Sequence, residues 1–180
     1  MTEDFNFLIG SWRGWPQGGF TVEIAETLLA QLEREIPATR KALERVPAGK
    51  DDWKPHPKSM PLGYLSVLIA GMPSWIEMMI DREFLDLATG GAPTSGNVVE
   101  IFDKSVAAAR RALSNASDAH LMLPWQLRVK GKVVDEKPRY IMIADTFSHL
   151  AHHRGQLTVY LRLNDVKVPS IYGPTADEGW

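Results

Sequence analysis

One stretch in the last quarter of the chain concentrates side chains that could do chemistry. Three of the five histidines lie at positions 149, 152 and 153. On a helix, at about 100° per residue, one stripe collects five polar or ionisable residues: Asp145, His149, His153, Gln156 and Tyr160. Because His149 and His153 are at i and i+4, their imidazoles can reach one metal ion. A solvated histidine-rich face is the alternative, but Asp145 and Gln156 in the same stripe favour a functional site.

The elements that position this stripe can be predicted from apolar periodicity. Behind the histidines, an apolar face is formed by Phe147, Leu150, Leu157 and Leu161, which predicts a packed helix over residues 138–163. Similar three- and four-residue steps predict helices over residues 22–46, 60–84 and 96–117. Pro37 should kink or split the first of these, and Pro73 should kink the second. The expected fold is therefore an all-α four-helix bundle.

The segments between and beyond these helices complete the predicted architecture. The connections are long, so we expect at least one crossover, and residues 121–134 predict a short hairpin-like excursion around Lys130 and Gly131. We expect a single domain over residues 1–180, with an irregular arm at 1–20 and an extended tail at 164–180. Trp12, Trp15 and Phe20 in the arm are too apolar for water, so they should lie across the body of the domain or across a partner chain. We expect them to help bury a homodimer interface.

Composition excludes several classes of function. The chain has 180 residues, 44% of them hydrophobic and 23% charged, as in ordinary globular domains. A net charge of −2 gives no basis for binding nucleic acid or an anionic membrane. No apolar run is long enough to span a membrane, and the acidic start is unlike a secretory signal. Zero cysteines exclude disulfides and thiolate sites. We expect a cytoplasmic protein.

Two parts of the sequence resemble a known family. Residues 152–162 (HHRGQLTVYLR) and 168–178 (VPSIYGPTADE) resemble the C-terminal signature of the DinB-like superfamily of metal-dependent hydrolases and transferases. Residues 37–47 (PATRKALERVP) and 52–59 (DWKPHPKS) resemble its first helix and following loop. The resemblance covers residues 22–178 and is most specific in the last helix. It implies a four-helix bundle, often a homodimer, with a zinc or nickel ion at one end.

The resemblance also implies a ligand set, which this chain matches only in part. The family uses one histidine in its second helix and a His-x-x-x-His pair in its last helix, and the pair carries over to His149 and His153. Leu68 occupies the position of the first ligand, since no histidine lies between His56 and His120. Candidates to replace it are His152, Asp145 and His56, although His152 points about 100° away from its neighbour. Two histidines alone bind a metal weakly.

Other catalytic chemistries lack their sequence signatures. A zincin needs a glutamate after its first histidine, where this chain has Leu150. No Gly-x-Ser-x-Gly elbow, dinucleotide motif or phosphate-binding motif is present. Arg154 lies toward the apolar face, which predicts a buried, paired, structural arginine.

Two hypotheses about function follow. One is a metal-dependent transferase or hydrolase that acts on a thiol or another small molecule. The other is a non-catalytic binding or stress-related protein of the same fold with a vestigial metal site. Leu68 favours the second hypothesis, and retention of the His-His-Arg-Gly-Gln block favours the first.

Overall fold

The computed structural model describes residues 22–87 and 97–179. Within these ranges the helices are α1 (Ile24–Glu44), α2 (Leu62–Gly71), α3 (Pro73–Asp81), α4 (Val98–Asn115), α5 (Asp118–Leu121) and α6 (Arg139–Leu163). The strands are β1 (Phe84–Asp86), β2 (Pro124–Val129) and β3 (Lys132–Pro138).

The long helices lie close to their predicted positions, and the two internal prolines differ in effect. α1, α4 and α6 begin and end within a few residues of the predicted bounds. α1 is continuous through Pro37, so the alternative of a split first helix is wrong. Pro73 instead begins a separate helix, and α2 and α3 meet at a bend of 46°. A proline is well suited to a first helical turn, because its missing N–H would have no partner there.

The expectation of an all-α four-helix bundle is wrong. The described residues contain six helices and a three-stranded mixed sheet in the order β1-β2-β3. β1 pairs in parallel with β2, and β2 pairs antiparallel with β3. The sequence predicts a short hairpin-like excursion over residues 121–134. In the structure, β1 pairs with this hairpin and extends it into a sheet. β1 has only three residues and a partner far along the chain, so no local pattern indicates it.

The turn between β2 and β3 lies where the sequence predicts it. Lys130 and Gly131 both have positive φ, 50° and 76°, as a two-residue hairpin turn requires. Their backbone N–H groups donate to the carboxylate of Asp86, at 2.9 and 2.7 Å. Asp86 ends β1, so its side chain fastens the hairpin to the first strand.

The apolar core consists of two clusters, both of which include α6. The first packs α6 against α1, α2 and α4, and its buried members include Leu43, Leu65, Phe102, Leu150 and Leu157. The second packs α6 against α1, α3, α4 and the sheet, and its buried members include Leu32, Ile76, Leu113, Trp125 and Ile143. The histidine-bearing helix is therefore held from several sides.

A buried guanidinium connects the start of α6 to its neighbours. Arg139 is 1% exposed. It donates to the carbonyl of Met79 at 2.9 Å, that of Pro124 at 2.9 Å and that of Arg82 at 3.3 Å. The Met79 and Arg82 carbonyls belong to the C-terminal end of α3, where helix carbonyls lack partners within the helix. Arg139 thus caps α3 and holds the first residue of β2 beside it.

A second buried arginine has the structural role predicted for it. Arg154 forms an ion pair with Glu35 of α1 at 2.7 Å, and both side chains are almost completely buried. Arg154 also donates to the hydroxyl of Thr39 at 2.7 Å. In the C-terminal tail, the hydroxyl of Tyr172 accepts from Arg154 at 2.5 Å and donates to Glu35 at 2.8 Å. This network fixes α1, α6 and the tail to one another.

The tail is tied down further along its length. Residues 164–179 contain no helix or strand, as expected of an extended tail. Asp177 pairs with Arg162, and Glu178 pairs with Arg45.

The predicted dimer interface and the predicted lack of a membrane-spanning segment concern different parts of the chain. Trp12, Trp15 and Phe20 lie outside the described residues, so the homodimer interface stays a prediction. Among the described helices, none is by itself long and apolar enough to span a membrane; α2 and α3 pass that test only as a bent pair.

The Arg154–Glu35 pair yields a prediction about stability. Replacing Arg154 by Met removes the partner of a buried carboxylate, which should lower the free energy of unfolding by about 3–5 kcal/mol. Urea denaturation followed by circular dichroism measures this loss. Lys104→Met breaks an exposed ion pair with Glu100, which solvent screens, so the stability should hardly change. A loss for Arg154→Met as small as that of Lys104→Met would show that the pair contributes little.

Candidate functional site

The two histidines with metal-ligand spacing face each other on α6. The Nε2 atoms of His149 and His153 lie 2.9 Å apart, and the ring centroids are 4.7 Å apart. His153 is buried, with 5% of its surface exposed, whereas His149 reaches the surface. The helix therefore brings together the pair predicted from the sequence. Its inner member is shielded from solvent and its outer member is accessible.

Gln156 determines which nitrogen of His153 is free to accept. Nδ1 of His153 lies 2.7 Å from Oε1 of Gln156, an oxygen that can only accept, so Nδ1 carries the proton. In the neutral ring the lone pair is then on Nε2, which faces His149. The amide nitrogen of Gln156 donates to Nε2 of His152 at 3.1 Å. A second hydrogen bond that fixes the tautomer of a histidine is typical of metal ligands.

α3 covers one side of the pair. The indole of Trp75 lies 5.6 Å from the ring of His149, measured between centroids. This contact sets the position of α3 along the axis of α6. Further along α6, the hydroxyl of Tyr160 donates to the carbonyl of Met60 at 3.2 Å. Met60 lies just before α2, so this bond holds the start of α2 against α6.

These two contacts place Leu68 relative to the histidines. α2 and α3 run antiparallel to α6, because Met60 meets Tyr160 and Trp75 meets His149. Leu68 lies between Met60 and Trp75 along the chain. The part of α6 opposite Leu68 therefore lies between Tyr160 and His149, and His153 is within that part. Leu68 is partly buried and packs on the first core cluster. It contributes an apolar side chain where the family resemblance implies a ligand.

The three candidate replacements for a third ligand have other partners. Asp145 accepts from Nζ of Lys137 at 3.1 Å. His152 is bonded to Gln156, which lies at the Nδ1 edge of His153, away from the Nε2 edge that faces His149. His56 is exposed on the loop before α2, where its Nδ1 accepts from the backbone of Lys58 at 3.1 Å. None of the three completes the pair.

The spacing of the two imidazole nitrogens is close to that of two ligands on one metal ion. Two nitrogens of a tetrahedral zinc site lie about 3.3 Å apart, given Zn–N bonds of about 2.0–2.1 Å. The 2.9 Å between the two Nε2 atoms needs only a small widening to match. Among the described residues, however, no group of three or more histidine or acidic side chains could hold a metal ion. The residues fit a two-nitrogen chelate and do not fit a three-ligand centre.

Sequence reasoning missed a cavity that opens beside His149. It lies between α3, α6 and the sheet, has a volume of about 350 Å³, and is called the Trp125 cavity below. Its lining includes Trp75, Met79, Trp125, Met142 and His149. The tryptophans were recognisable as residues of a helix and a strand, but nothing local indicates that β2 packs on the face of α6 that carries Met142.

The environment of His149 lowers the pKa of its imidazole below the ordinary value of 6.5. Burial is the largest cause, since desolvation disfavours the charged ring. The neighbouring rings of His153 and His152 add repulsion between positive charges. Between this lowered pKa and 6.5 the folded chain binds fewer protons than the unfolded chain. The stabilising contribution is therefore complete above 6.5 and is lost as the pH falls through the folded-state pKa.

This shift predicts a titration that can be followed directly. In protein treated with EDTA, the ring protons of His149 should titrate by NMR with a pKa below 6.5. His153→Gln removes one repulsive neighbour, so the pKa of His149 should then move upward. A pKa at or above 6.5 in the unmodified protein would contradict the described environment.

Comparison with known proteins identifies the fold. A DinB-like protein from Bacillus cereus ATCC 10987 matches with a TM-score of 0.64 and 22% identity, over 82% of this chain and 97% of that one. A DinB-like protein from Bacillus subtilis matches with a TM-score of 0.64 and 15% identity, over 81% of this chain and 96% of that one. No protein-family model and no curated protein matches the sequence. The resemblance inferred from the sequence is confirmed at the level of the fold: this chain shares the fold of these two DinB-like proteins.

Proposed function

We propose that this chain is a DinB-fold binding protein whose His149–His153 pair holds a divalent metal ion, zinc or nickel, only weakly. The observation that carries the proposal is the isolation of the pair. Its two Nε2 atoms lie 2.9 Å apart, and no group of three or more histidine or acidic side chains among the described residues could hold a metal ion. A catalytic zinc centre uses three protein ligands and an open position, and this pair supplies two.

The geometry of the histidine pair favours a chelate, but the hydrogen bond between the two rings competes with metal binding. His149 and His153 are presented by one rigid helix, so little ordering is required to bring both nitrogens to one ion. The lone pair of His153 is oriented by Gln156, which favours coordination. Against this, the two rings already bond to each other, and a metal ion must replace that hydrogen bond. An ion held by this pair would keep most of its coordination positions for water or a small molecule.

A second candidate function is a metal-dependent transferase or hydrolase that acts on a thiol or another small molecule. The observation in its favour is the Gln156 hydrogen bond, which gives His153 the tautomer that a metal ligand needs. This function requires a third donor that the described residues do not bring to the pair. The affinity of the unmodified chain for metal distinguishes the two candidates, since an enzyme of this kind needs a resident ion.

The position of Leu68 provides the test. In Leu68→His, an imidazole is added at the level of His153, which should complete a three-nitrogen site. Affinity for zinc or nickel should rise at least about tenfold, because loss of even an outer-shell partner costs about 10–100-fold. Isothermal titration calorimetry of untagged protein with ZnCl₂ measures the change.

Two matched variants control this measurement. Leu68→Gln introduces a polar side chain without an imidazole and should leave the affinity near that of the unmodified chain. Adding His153→Ala to Leu68→His should remove the gain. Tight stoichiometric binding by the unmodified chain would favour the enzyme, with a third ligand already supplied. No gain in Leu68→His would show that α2 does not present residue 68 to the histidines.

A further inference from the structure

The Trp125 cavity has the shape and lining of a binding site. Its volume of about 350 Å³ is in the range of small-molecule pockets, which start near 300 Å³. Its walls come from α3, the sheet and α6 and are mainly apolar: Trp75, Met78, Met79, Leu85, Leu127 and Met142. Exposed residues Leu87, Asp145 and His149 also line it and mark the side that opens to solvent.

One polar group in this lining has no partner. Trp125 is 2% exposed, and its indole Nε1–H is the one buried side-chain donor or acceptor in the described part of the chain that lacks a hydrogen bond. Leaving such a donor unsatisfied costs about 1–3 kcal/mol, so native structures rarely do so without a reason. The surrounding protein supplies no acceptor. Because Trp125 lines the cavity, a small shift of its ring would present the N–H to an acceptor on a molecule inside, which would remove the cost.

The other polar groups of the lining are already engaged. The hydroxyl of Thr146 donates to the carbonyl of Met142 at 3.0 Å. The carboxylates of Asp135 and Asp145 both pair with Lys137, at 3.0 and 3.1 Å. His149 is bonded to His153.

The charges also restrict the ligand. Asp135 and Asp145 both line the cavity and share Lys137 as their partner, so a net negative charge remains beside the opening and disfavours an anionic ligand. The apolar walls disfavour any charged group that lacks a partner. What remains is a molecule that is mostly apolar, uncharged and equipped to accept a hydrogen bond.

We propose that the Trp125 cavity binds a small, neutral, mainly apolar molecule, aromatic or aliphatic, through one oxygen or nitrogen acceptor that bonds to the indole N–H of Trp125. This goes beyond the proposed metal binding and does not depend on it. The cavity reaches the histidine pair only through His149, and the recognition group lies on β2.

Three probes of similar size and shape test the recognition chemistry. Acetophenone is neutral and carries a carbonyl acceptor, ethylbenzene lacks the acceptor, and benzoate is anionic. Each is titrated into the ¹⁵N-labelled full chain in the presence of EDTA, and the Trp indole N–H resonances are followed by NMR. Acetophenone should bind about fivefold more tightly than ethylbenzene, as expected for one added hydrogen bond. It should also move the Trp125 indole proton downfield, and benzoate should bind most weakly.

Variants of the lining assign the effect to this cavity. Trp125→Phe identifies the indole resonance by its loss and should reduce acetophenone affinity about fivefold, to that of ethylbenzene. Met78→Trp places a larger side chain in the lining and should weaken all three probes. Val159→Trp adds the same ring at an exposed position of α6 outside the lining and should change nothing.

The outcomes separate this proposal from the metal proposal. His153→Ala should abolish the metal response and leave acetophenone binding intact. Equal affinity for acetophenone and ethylbenzene with an unmoved Trp125 resonance would overturn the proposed recognition. So would tighter binding of benzoate, the absence of binding by all probes at millimolar concentration, or unchanged binding in Met78→Trp. If Trp125→Phe does not fold, the Trp125 resonance shift and Met78→Trp still decide the matter.

Discussion

The arrangement of the candidate site depends on the buried guanidinium of Arg139. A buried arginine is costly unless each of its donors finds an acceptor, and this one donates to carbonyls of Met79, Arg82 and Pro124. Those acceptors lie at the end of α3 and the start of β2, so the sheet is held against α6 at its first residue. Trp125 directly follows Pro124, and its position in the cavity lining is therefore set by the same interaction.

The two histidines of the pair depend on the tertiary fold less than a third metal ligand would. His149 and His153 need only a helix, because their spacing along α6 brings the two rings together. A third donor has to come from another element, at the level set by the contacts of α2 and α3 with α6. Leu68 at that level keeps the packing of the first core cluster but supplies no lone pair. The fold shared with the DinB-like proteins therefore does not by itself supply the third donor that the sequence resemblance implies.

The sequence predicted the features that depend on local periodicity. The positions of α1, α4 and α6, the facing of His149 and His153, and the burial of Arg154 all follow from side chains three or four residues apart. The Lys130–Gly131 turn could be predicted because its backbone angles favour particular residues.

The features that could not be predicted depend on contacts between distant segments. β1 forms because Phe84, Leu85 and Asp86 find β2 about forty residues further along the chain. Glu35 resembles any surface glutamate of an amphipathic helix until Arg154 is packed against it. The burial of the Trp125 indole without an acceptor is likewise a product of tertiary packing, since an alternating strand pattern does not show what covers each face.

Arg139 and Arg154, the arginines buried in the described part of the chain, both lie on α6, which follows the other described helices along the chain, and this affects how those helices can fold during synthesis. Before α6 emerges, Glu35 and Thr39 have no guanidinium to bind, and the C-terminal end of α3 has no cap. Both core clusters also lack the residues that α6 contributes, so apolar faces of the earlier helices stay exposed until α6 has been made. The earlier helices therefore cannot reach their final packing before α6 is made, and a nascent chain stalled before residue 139 would expose apolar surface of the kind that chaperones recognise.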